Sequence, residues 1–439
     1  MRAKTSTLSY YLTRFVLPAM LLLNLANLAS KIQWLSLSFT DSKLCSRDFI
    51  SVYLLAKSVL AGITPYLPLR ELAAHWPGVA ECNTFIHPSP HPPTLAVFFA
   101  PVGLLGYKSA VFLWLGLQLA CLTTAVCLLL KWWGNALAPW QKLVAGVGFL
   151  SAGPVIYELR AGQLNSLLLI LLLLSWFSLR KEKDVIGGAL LGAIVSLKLL
   201  IWPVIIYLLL RRRWTALAAA GVVITVTHII AAFAIGASSV VHYYLKAGPQ
   251  VAQFYRTDPQ NISVWTLGWR LFGQSGGLSP DQTFPPSLWV DLATYAVPAA
   301  LTAIVLAVSL RAKLFDTAFA ELVCVSLLVN PVAWYHYLVI AFIPVAIAAR
   351  RLQQLDLPTG LTLSSGALFL IQTRGAVLSL LGLIWLLWKL DRTEADGSTT
   401  GSAGNTGMPI FIAFPRVPRA LSGLFCTNVR CSYLDRRDM

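Results

Sequence analysis

The sequence predicts an all-α, polytopic integral membrane protein. Of its 439 residues, 57% are hydrophobic and 12% are charged, whereas soluble domains carry about 25% charged residues. The apolar residues gather in long runs, and a run of roughly 20 such residues can cross a bilayer as a helix. Lys and Arg, 34 against 18 Asp and Glu, gather in short segments between those runs. These observations predict roughly ten to twelve transmembrane helices, and they assign the positive charge to membrane topology and not to nucleic-acid binding.

Apolar runs supply the helices of this prediction. Those long enough to span a bilayer, or nearly so, cover residues 10–29, 109–130, 215–235, 289–310 and 333–349. Shorter runs lie at 93–106, 143–157, 164–179, 316–330, 361–371 and 376–389. The first run lacks the small-residue cleavage site of a signal peptide, so we expect it to remain as an anchored helix.

Basic residues between the runs predict the orientation, because Lys and Arg concentrate on the cytoplasmic side of a membrane protein. The basic segments are "MRAK" at the N-terminus, "RKEKD" (180–184), "RRR" (211–213), "RAK" (311–313) and "RR" (350–351). This pattern predicts a multi-pass protein of the cell (inner) membrane with cytoplasmic termini. The loops at 30–92 and 236–288 are then external or periplasmic.

One short stretch predicts a special element. "RKEKD" and "RRR" both indicate the cytoplasmic side, but only one span's length separates them. A re-entrant hairpin of 186–197 and 199–210, with Lys198 near its tip, would resolve this conflict. Nearby glycines and Pro203 are compatible with a broken membrane helix.

Two regions follow from the composition. Residues 1–390 are predicted to form the membrane domain, and residues 391–439 a cytoplasmic tail. The tail starts with the Gly/Ser/Thr-rich "DRTEADGSTTGSAGNTG", which predicts disorder. Its basic remainder could contact anionic membrane lipid.

Two cysteines lie in the first predicted external loop. Cys45 and Cys82 could form a disulfide if that loop faces an oxidising compartment. No Cys-x-x-Cys spacing typical of a zinc site occurs in the chain.

Asp48 is the first candidate catalytic residue. It lies in "CSRDFISVYLLAKSVLAGITPYLP" (45–68), soon after the first apolar run, in a chain where carboxylates are scarce. A carboxylate held against an apolar surface has its charged form disfavoured and becomes a better base. A solvated aspartate, or one paired with Arg47, is the alternative. The following segment has apolar residues at helical spacing with Lys57 on the other face, which predicts an amphipathic helix at the interface.

A second polar stretch, "YELRAGQLNSLLL" (157–169), separates two apolar runs. The planar guanidinium of Arg160 suits an anionic ligand, and the amides of Gln163 and Asn165 could bind sugar hydroxyls. A plain polar turn between two helices is the alternative interpretation.

Lys198 lies in the apolar segment "GALLGAIVSLKLLIWP" (188–203) and has no acidic neighbour in the sequence. A buried lysine is unfavourable unless it meets an anion. A lipid-linked phosphate would supply that anion. Snorkelling of the side chain to the membrane surface is the alternative.

Two histidines precede an apolar run in "HPSPHPPTL" (87–95). His87 and His91 could bind a phosphate or tune the acid–base environment, or they could be interfacial polar residues before a helix. They have no acidic partners nearby, so we expect no metal site.

The remaining candidate site residues lie in the second half of the chain, in or next to segments that are predicted to be external. "DPQNISVW" (258–265) contributes Asn261, and "NPVAWYHYLV" (330–339) contributes Trp334 and His336. Trp at the outer start of a helix is typical of the interfacial aromatic belt, whereas a histidine there is less ordinary.

Together these segments resemble glycosyltransferase family 87, the polyprenyl-phosphate-mannose-dependent mannosyltransferases of the C-type (GT-C) superfamily. The blocks that carry the resemblance are, in order, "DFISVYLLAKSVLAGITPY", "HPPTLAVFFAPVGLL", "GQLNSLLLILLLL", "GGALLGAIVSLKLLIWPVIIYLLLRRRW" and "NPVAWYHYLV". They are similar to the family's Asp followed by Gly-x-x-Pro-Tyr, its Pro-Pro helix start, its Gly-Gln-x-Asn and Lys-containing segments, and its Pro-x-x-Trp-x-His motif.

The resemblance implies a GT-C-like enzyme without cofactor or metal, whose external loops carry the active site. It would move a hexose, with mannose expected first, from a polyprenyl-phosphate-linked donor to a lipid or glycan acceptor, with inversion. Asp48 matches the family's catalytic aspartate and would be the general base, while Lys198, Arg160 and His336 would hold the departing phosphate. The expected substrate-binding residues are Tyr66, His91, Gln163, Asn165, Asn261 and Trp334. Since the chain offers a single Asp here and no paired acidic motif, the sugar stays open among mannose, another hexose and a pentose.

A lipid-linked sugar flippase or another secondary transporter is the main alternative, because it would also use intramembrane cations and broken helices. Transporters often contain two similar halves, and the sequence shows no such repeat. A glycan polymerase or ligase would share the lipid-phosphate substrate but is expected to carry a larger external loop. The order of the blocks and the place of Asp48 in a loop favour the glycosyltransferase.

Overall fold

The computed structural model describes residues 15, 17–37, 39–40, 47–82, 85–134, 138–258, 260–272, 288–355 and 375–399. Every regular secondary-structure element among these residues is a helix, as predicted. The helices of the first half are α1 (Leu17–Leu37), α2 (Phe49–Ala61), α3 (Leu69–Ala74), α4 (Pro77–Ala80), α5 (Pro93–Phe99), α6 (Tyr107–Trp133), α7 (Pro139–Ser151), α8 (Gly153–Ala161), α9 (Asn165–Arg180) and α10 (Asp184–Leu197). Those of the second half are α11 (Trp202–Leu210), α12 (Trp214–Ile235), α13 (Ala237–His242), α14 (Gly248–Phe254), α15 (Leu267–Phe272), α16 (Leu288–Arg311), α17 (Phe315–Leu328), α18 (Phe342–Leu355) and α19 (Ala376–Thr399).

The polytopic prediction is confirmed, but fewer helices can span a membrane than expected. Four described stretches are long and apolar enough, namely α6, α12, α16 and Tyr335–Leu352; α7 and α8, bent by 47°, make a fifth if they form one span. The expected number of roughly ten to twelve is therefore not reached in the described part of the chain. Prolines divide several apolar runs into shorter helices, since Pro101, Pro154 and Pro203 each lie at the start of such a fragment.

The chain reverses its direction near Lys198, as the predicted hairpin requires. α10 ends at Leu197, Lys198 has an extended backbone (φ −162°, ψ 126°), and α11 begins at Trp202. The far ends of the hairpin meet again, since Arg213 forms an ion pair with Asp184. The two basic segments thus lie together, and α10 separates them from Lys198 by roughly 20 Å at 1.5 Å per residue.

Two glycines let α10 and α12 approach closely. A Cβ on Gly188 would overlap the carbonyl of Ala216, and one on Gly192 would lie 2.6 Å from the carbonyl oxygen of Ala220. Small residues at a spacing of four are typical of tight contacts between membrane helices. This packing fixes α10 and hence the position of Lys198 at its end.

The segment after Asp48 is helical, as predicted, but it is not an amphipathic helix at the interface. α2 buries residues on all sides, including Phe49, Val52 and Leu54. Its neighbours are α3, α5, α6 and the 3-10 turn Ala100–Leu104, which cover the faces that the sequence would leave in the interface. α2 therefore belongs to the core, and this fixes the position of Asp48 at its N-terminus.

α1 is tied to the bend between α7 and α8. The last carbonyls of a helix have no intrahelical partner, and the Ser151 carbonyl accepts hydrogen bonds from Lys31 Nζ (2.8 Å) and Asn27 Nδ2 (3.3 Å). α8 therefore leaves the end of α7 at an angle of 47°.

α19 continues past the predicted domain boundary at residue 390 and ends at Thr399. The first residues of the predicted disordered tail are therefore helical. Asp391 gives a physical reason, because its carboxylate accepts from the Lys313 backbone N–H (2.9 Å) and lies 3.6 Å from the Arg351 guanidinium. The predictions made for "MRAK", Cys45, 361–371 and 400–439 lie outside the described residues.

Candidate active site

Asp48 precedes α2 and turns its side chain towards Gln163. An aspartate at this position often accepts hydrogen bonds from the first amides of its helix, but the Asp48 side chain makes no such bond. Instead, Gln163 Nε2 donates to Asp48 Oδ2 at 2.9 Å. Gln163 is buried and Asp48 is partly exposed, so Asp48 is the more accessible residue of the pair.

Gly162 explains the close approach of Gln163 to α2. Gly162 follows α8 with a φ of 69°, in the left-handed region where glycine is favoured. A Cβ there would lie 2.7 Å from Phe49 Cβ, so a larger residue would push the turn away from α2. Trp114 Nε1 donates to the Gly162 carbonyl (2.9 Å) and Gln118 Nε2 to the Gln163 carbonyl (2.8 Å), which holds the turn from α6 as well.

A buried hydrogen-bond network lies behind this pair. Glu158 Oε2 accepts from Asn165 Nδ2 at 2.7 Å, and Glu158 Oε1 accepts from the Ser166 backbone N–H at 2.9 Å. Asn165 Oδ1 in turn accepts from Lys198 Nζ at 3.2 Å. Because Asn165 and Ser166 open α9, Glu158 also caps the N-terminus of that helix. The network therefore joins α8, α9 and the tip of the hairpin.

Lys198 is buried, so it does not snorkel to the surface. Its ammonium lies 3.5 Å from the centroid of the Tyr337 ring, a cation–π contact, and it interacts favourably with the charges of Glu158 and Asp48. Carboxylates of the protein therefore compensate part of the charge of this lysine, and its contact with a lipid phosphate stays a prediction. The compensating carboxylates are distant in the sequence, and the tertiary fold brings them to the hairpin tip.

The pKa of the Asp48 carboxyl is raised. Burial raises it, while the hydrogen bond from Gln163 and the positive charges of Lys198, Arg47 and Arg160 lower it. The effect of burial is the largest, so Asp48 is a stronger base than a solvated aspartate, as the sequence predicts.

The two arginines near Asp48 make contacts elsewhere. Arg47 is buried and donates a hydrogen bond to the Leu159 carbonyl. This bond differs from the direct pair with Asp48 that was the alternative interpretation of the sequence. Arg160 is exposed, and its guanidinium lies 4.4 Å from the centroid of the Trp34 ring. Arg160 is the arginine that a ligand could reach.

His91 and His336 approach the same cluster from two other elements. Both side chains are buried, and in the described part of the chain neither Nε2 atom has a hydrogen-bond partner. Both interact electrostatically with Lys198. Burial, with a smaller effect of Lys198, lowers the pKa of His91 to about 3, so this imidazole is neutral. Buried polar atoms without a protein partner call for an explanation such as a ligand or water, and these two flank an ammonium.

Tyr66 and Trp334 lie in the walls around this cluster. Tyr66 is buried and its hydroxyl donates to the His91 carbonyl at 3.1 Å. Trp334 is partly exposed and packs edge-on against Tyr255, with ring centroids 5.0 Å apart. The Tyr255 hydroxyl is also hydrogen-bonded to His87 Nε2 at 2.7 Å, so His87 belongs to the wall rather than to the cluster.

Asn261 connects two loops through backbone groups. Its Nδ2 donates to the carbonyls of Tyr255 and Pro331, each at 3.0 Å, and its Oδ1 accepts from the N–H groups of Ser263 (3.1 Å) and Ala333 (3.0 Å). These contacts occupy both ends of the amide, so we reassign Asn261 from substrate binding to holding the loop that carries Trp334.

Two members of the cluster were missed in the sequence. Glu158 was visible as a lone carboxylate between two apolar runs, a pattern that marks functional sites in membranes. Tyr337 gave no such signal, since a tyrosine near the end of a membrane helix is ordinary.

The model of glycosyltransferase family 87 matches residues 90–331, more than half of the chain. The chain belongs to glycosyltransferase family 87. The family 87 match includes Glu158, Asn165 and Lys198, whereas Asp48 and His336 lie outside it. Their assignment to the site therefore depends on the sequence blocks, on the hydrogen bond from Gln163 to Asp48 and on the interaction of His336 with Lys198.

Two relatives of this family 87 chain are named alpha-(1->3)-arabinofuranosyltransferase, from two strains of Mycobacterium tuberculosis. Each is 29% identical over 153 residues, which is 34% of this chain and 35% of the relative. The family 87 chain thus aligns with about a third of the length of these relatives. No solved structure matches it.

Proposed function

We propose that this family 87 protein moves a sugar from a polyprenyl-phosphate-linked donor to a hydroxyl of a lipid or glycan acceptor, with Asp48 as the general base. The observation that carries the proposal is the Asp48 carboxylate itself. It is partly exposed, oriented by Gln163, and surrounded by positive charges. A general base has to be oriented, within reach of the acceptor, and of suitable pKa.

In the proposed step, the acceptor oxygen attacks the anomeric carbon of the donor sugar, and its proton passes to the Asp48 carboxylate. The bond between that carbon and the phosphate oxygen breaks, and its electron pair leaves with the polyprenyl phosphate. Attack opposite the leaving group inverts the configuration at the carbon. Because negative charge develops on the phosphate, the step needs a cationic clamp.

Lys198 is the central group of the proposed clamp, and His336 and the exposed Arg160 complete it. An ammonium has three N–H donors, of which Asn165 accepts one. The unpartnered Nε2 atoms of His336 and His91 support phosphate binding here, since a phosphate would give them a partner.

The amides of the predicted sugar site divide into two roles. Asn165 has both its Oδ1 and its Nδ2 engaged within the network, so we propose that it orients Lys198 and does not bind sugar. Gln163 and the partly exposed Trp334 remain the proposed sugar contacts, with Tyr66 holding the backbone of His91 behind them.

Mannose is the first donor sugar to test, because the sequence blocks resemble those of mannosyltransferases. The name of the two relatives adds arabinofuranose, a pentose, as the second candidate. Both donors would present a phosphate to the same clamp, so the choice of sugar does not alter the proposed step.

We place this site on the external side of the cell (inner) membrane, with cytoplasmic termini. The roughly 20 Å length of α10 puts Lys198 at the opposite end of the hairpin from "RKEKD" and "RRR", which supports this orientation. Cys82 is disulfide-bonded, which supports an oxidising compartment for its loop. We retain residues 1–390 as the membrane domain, followed by a cytoplasmic tail.

Sugar transfer in membranes that contain the protein tests the proposal. The membranes receive radiolabelled polyprenyl-phosphate mannose or, separately, polyprenyl-phosphate arabinofuranose, and wild type is compared with Asp48→Asn at equal protein level. We expect transfer by wild type and a loss of about 10²–10⁴-fold in the variant. Asp258→Asn, the same change in the second predicted external loop, is the matched control and should keep wild-type transfer.

Transfer that survives in Asp48→Asn would exclude Asp48 as the base and leave the enzyme proposal in place. Absence of transfer from both donors in wild type would contradict the proposed reaction and favour the transporter.

A further inference from the structure

We propose that Glu158 is a positioning residue that, through Asn165, fixes the place and the charge of the Lys198 ammonium and so sets the pH range in which Asp48 acts. This inference rests on the proposed role of Asp48 and goes beyond it. Glu158 is fully buried, so it acts through other side chains and not on the substrate. The link is continuous, with 2.7 Å from Glu158 Oε2 to Asn165 Nδ2 and 3.2 Å from Asn165 Oδ1 to Lys198 Nζ.

Glu158 determines which way the Asn165 amide points. A carboxylate only accepts hydrogen bonds, so Asn165 has to turn its NH₂ group to Glu158 and its carbonyl oxygen to Lys198. An ammonium only donates, so this orientation is the one that binds it. The second Glu158 oxygen is occupied by the Ser166 N–H, which keeps the carboxylate in register with α9.

Several charged or titratable groups affect the charge states of Asp48 and Lys198. Those that interact with Asp48 are Arg47, Arg160, Lys198, Tyr107 and Tyr337. Those that interact with Lys198 are Asp48, Glu158, His91 and His336. Glu158 interacts with Lys198, and Lys198 interacts with Asp48, so a change at Glu158 reaches Asp48 through Lys198.

Glu158→Gln is the first test variant, because it keeps the shape of the side chain and removes its charge. The Ser166 N–H still needs an oxygen, so the new carboxamide would turn its NH₂ group to Asn165. Asn165 would then rotate its carbonyl towards that group and present its own NH₂ to Lys198, a donor facing a donor. We expect kcat to fall about tenfold and the acid limb of the kcat/KM profile to move up by about one pH unit, because Asp48 loses the cation that favours its charged form.

Glu158→Gln combined with Asn165→Asp restores the hydrogen-bond polarity. The carboxylate at position 165 would accept both from the carboxamide at position 158 and from Lys198. We expect the rate to return to within about threefold of wild type, and the acid limb to its wild-type position, as coupled neighbours allow. If Glu158 served only to cap α9, this double variant would gain nothing over the single one.

Asn165→Ala separates the two roles of Glu158 further. It leaves the bond from the Ser166 N–H to Glu158 in place and removes the link to Lys198. We expect the same shift of the acid limb as in Glu158→Gln. The inference would be overturned if both single variants, at equal amounts of folded protein, kept the acid limb of wild type. It would also be overturned if the double variant were no faster than Glu158→Gln. If Glu158→Gln does not accumulate as folded protein, the acid limb of the kcat/KM profile is measured in Asn165→Ala and in the double variant. A wild-type limb in Asn165→Ala, or a shifted limb in the double variant, would then overturn the inference.

A readout without sugar transfer keeps this inference distinct from the proposed reaction. Acylation of Lys198 by a small amine-reactive reagent, read by mass spectrometry on the purified full chain, should increase in Glu158→Gln and Asn165→Ala and return to the wild-type level in the double variant. Equal labelling in all four proteins would overturn the inference. If Asp48→Asn keeps its activity while the labelling follows this pattern, the base assignment fails and the hold of Glu158 on Lys198 stands.

Discussion

Charges are paired directly at one end of the helices that carry the site, and through neutral amides at the other. At the end with the basic segments, Arg180 Nε lies 3.0 Å from Asp316 Oδ1, and Arg213 pairs with Asp184. In a direct pair each charge satisfies the other, and additional hydrogen bonds complete it. Trp176 Nε1, for example, also donates to Asp316 Oδ1. Such pairs hold helices together and leave little charge for a ligand.

At the site end, an amide stands beside each carboxylate. Gln163 donates to Asp48, and Asn165 lies between Glu158 and Lys198. The amides orient the charged groups without neutralising them by contact. Asp48 and Lys198 therefore keep charge that a substrate can use, and perturbed ionisable groups of this kind cluster at functional sites.

Lys198→Met is expected to have the largest effect among the changes that test this contrast. Removing the ammonium takes away both the clamp for the departing phosphate and the cation next to Asp48. We expect kcat/KM to fall about 10²–10³-fold, measured as sugar transfer at equal protein level. Lys57→Met, at a partly exposed position of α2, is the matched control and should stay within about threefold of wild type. A loss below threefold in Lys198→Met would place the clamp elsewhere.

The long helices were predictable because the length of an apolar run is a local property. The runs 109–130, 215–235 and 289–310 correspond to α6, α12 and α16, and the conflict between two basic segments predicted the hairpin at Lys198. The number of spans was not predictable in this way. Whether a proline starts a new helix inside one span or separates two depends on neighbouring helices, which a single run of sequence does not reveal.

The site was predictable as a set of residues but not as a set of contacts. Asp48, Gln163, Asn165 and Lys198 were each singled out, and the structure brings them together. Their pairing was not evident, because it depends on Gly162 bringing α8 against α2 and on α10 packing against α12. For the same reason Glu158, the counter-charge of Lys198, was passed over in the sequence.

The pH dependence of transfer is the second test of the contrast. Burial raises the pKa of the Asp48 carboxyl, so the charged form needed by a base is lost at a higher pH than for a solvated aspartate. Below that pKa the rate should fall about tenfold per pH unit. An ordinary aspartate has a pKa of about 3.9. The acid limb of kcat/KM should therefore lie at a higher pH than this value. A limb at or below the ordinary range would mean that the cations outweigh burial in the working protein.

Gly162→Ala tests whether the turn that places Gln163 needs glycine. The left-handed φ and the overlap with Phe49 Cβ should lower the free energy of unfolding by about 1–3 kcal/mol and reduce transfer, because Gln163 moves away from Asp48. The change is measured by thermal unfolding in detergent and by transfer. Gly221→Ala is the matched control, since a Cβ there meets no atom within 4 Å and alanine favours a helix. Equal unfolding temperatures for the two variants would contradict this account of the turn.

Arg180→Gln, at the basic end, should have the smallest effect. The Arg180 side chain is 40% exposed, and Asp316 keeps its hydrogen bond from Trp176, so losing the pair should lower the free energy of unfolding by at most about 1 kcal/mol. The difference from wild type should shrink with added salt, because screening weakens exposed pairs, and transfer should stay within about twofold. The same change from a charged to a carboxamide side chain at position 158 is expected to shift the pH profile. If Arg180→Gln shifts it as well, direct pairing does not insulate a charge from the site, and the contrast between the two ends is lost.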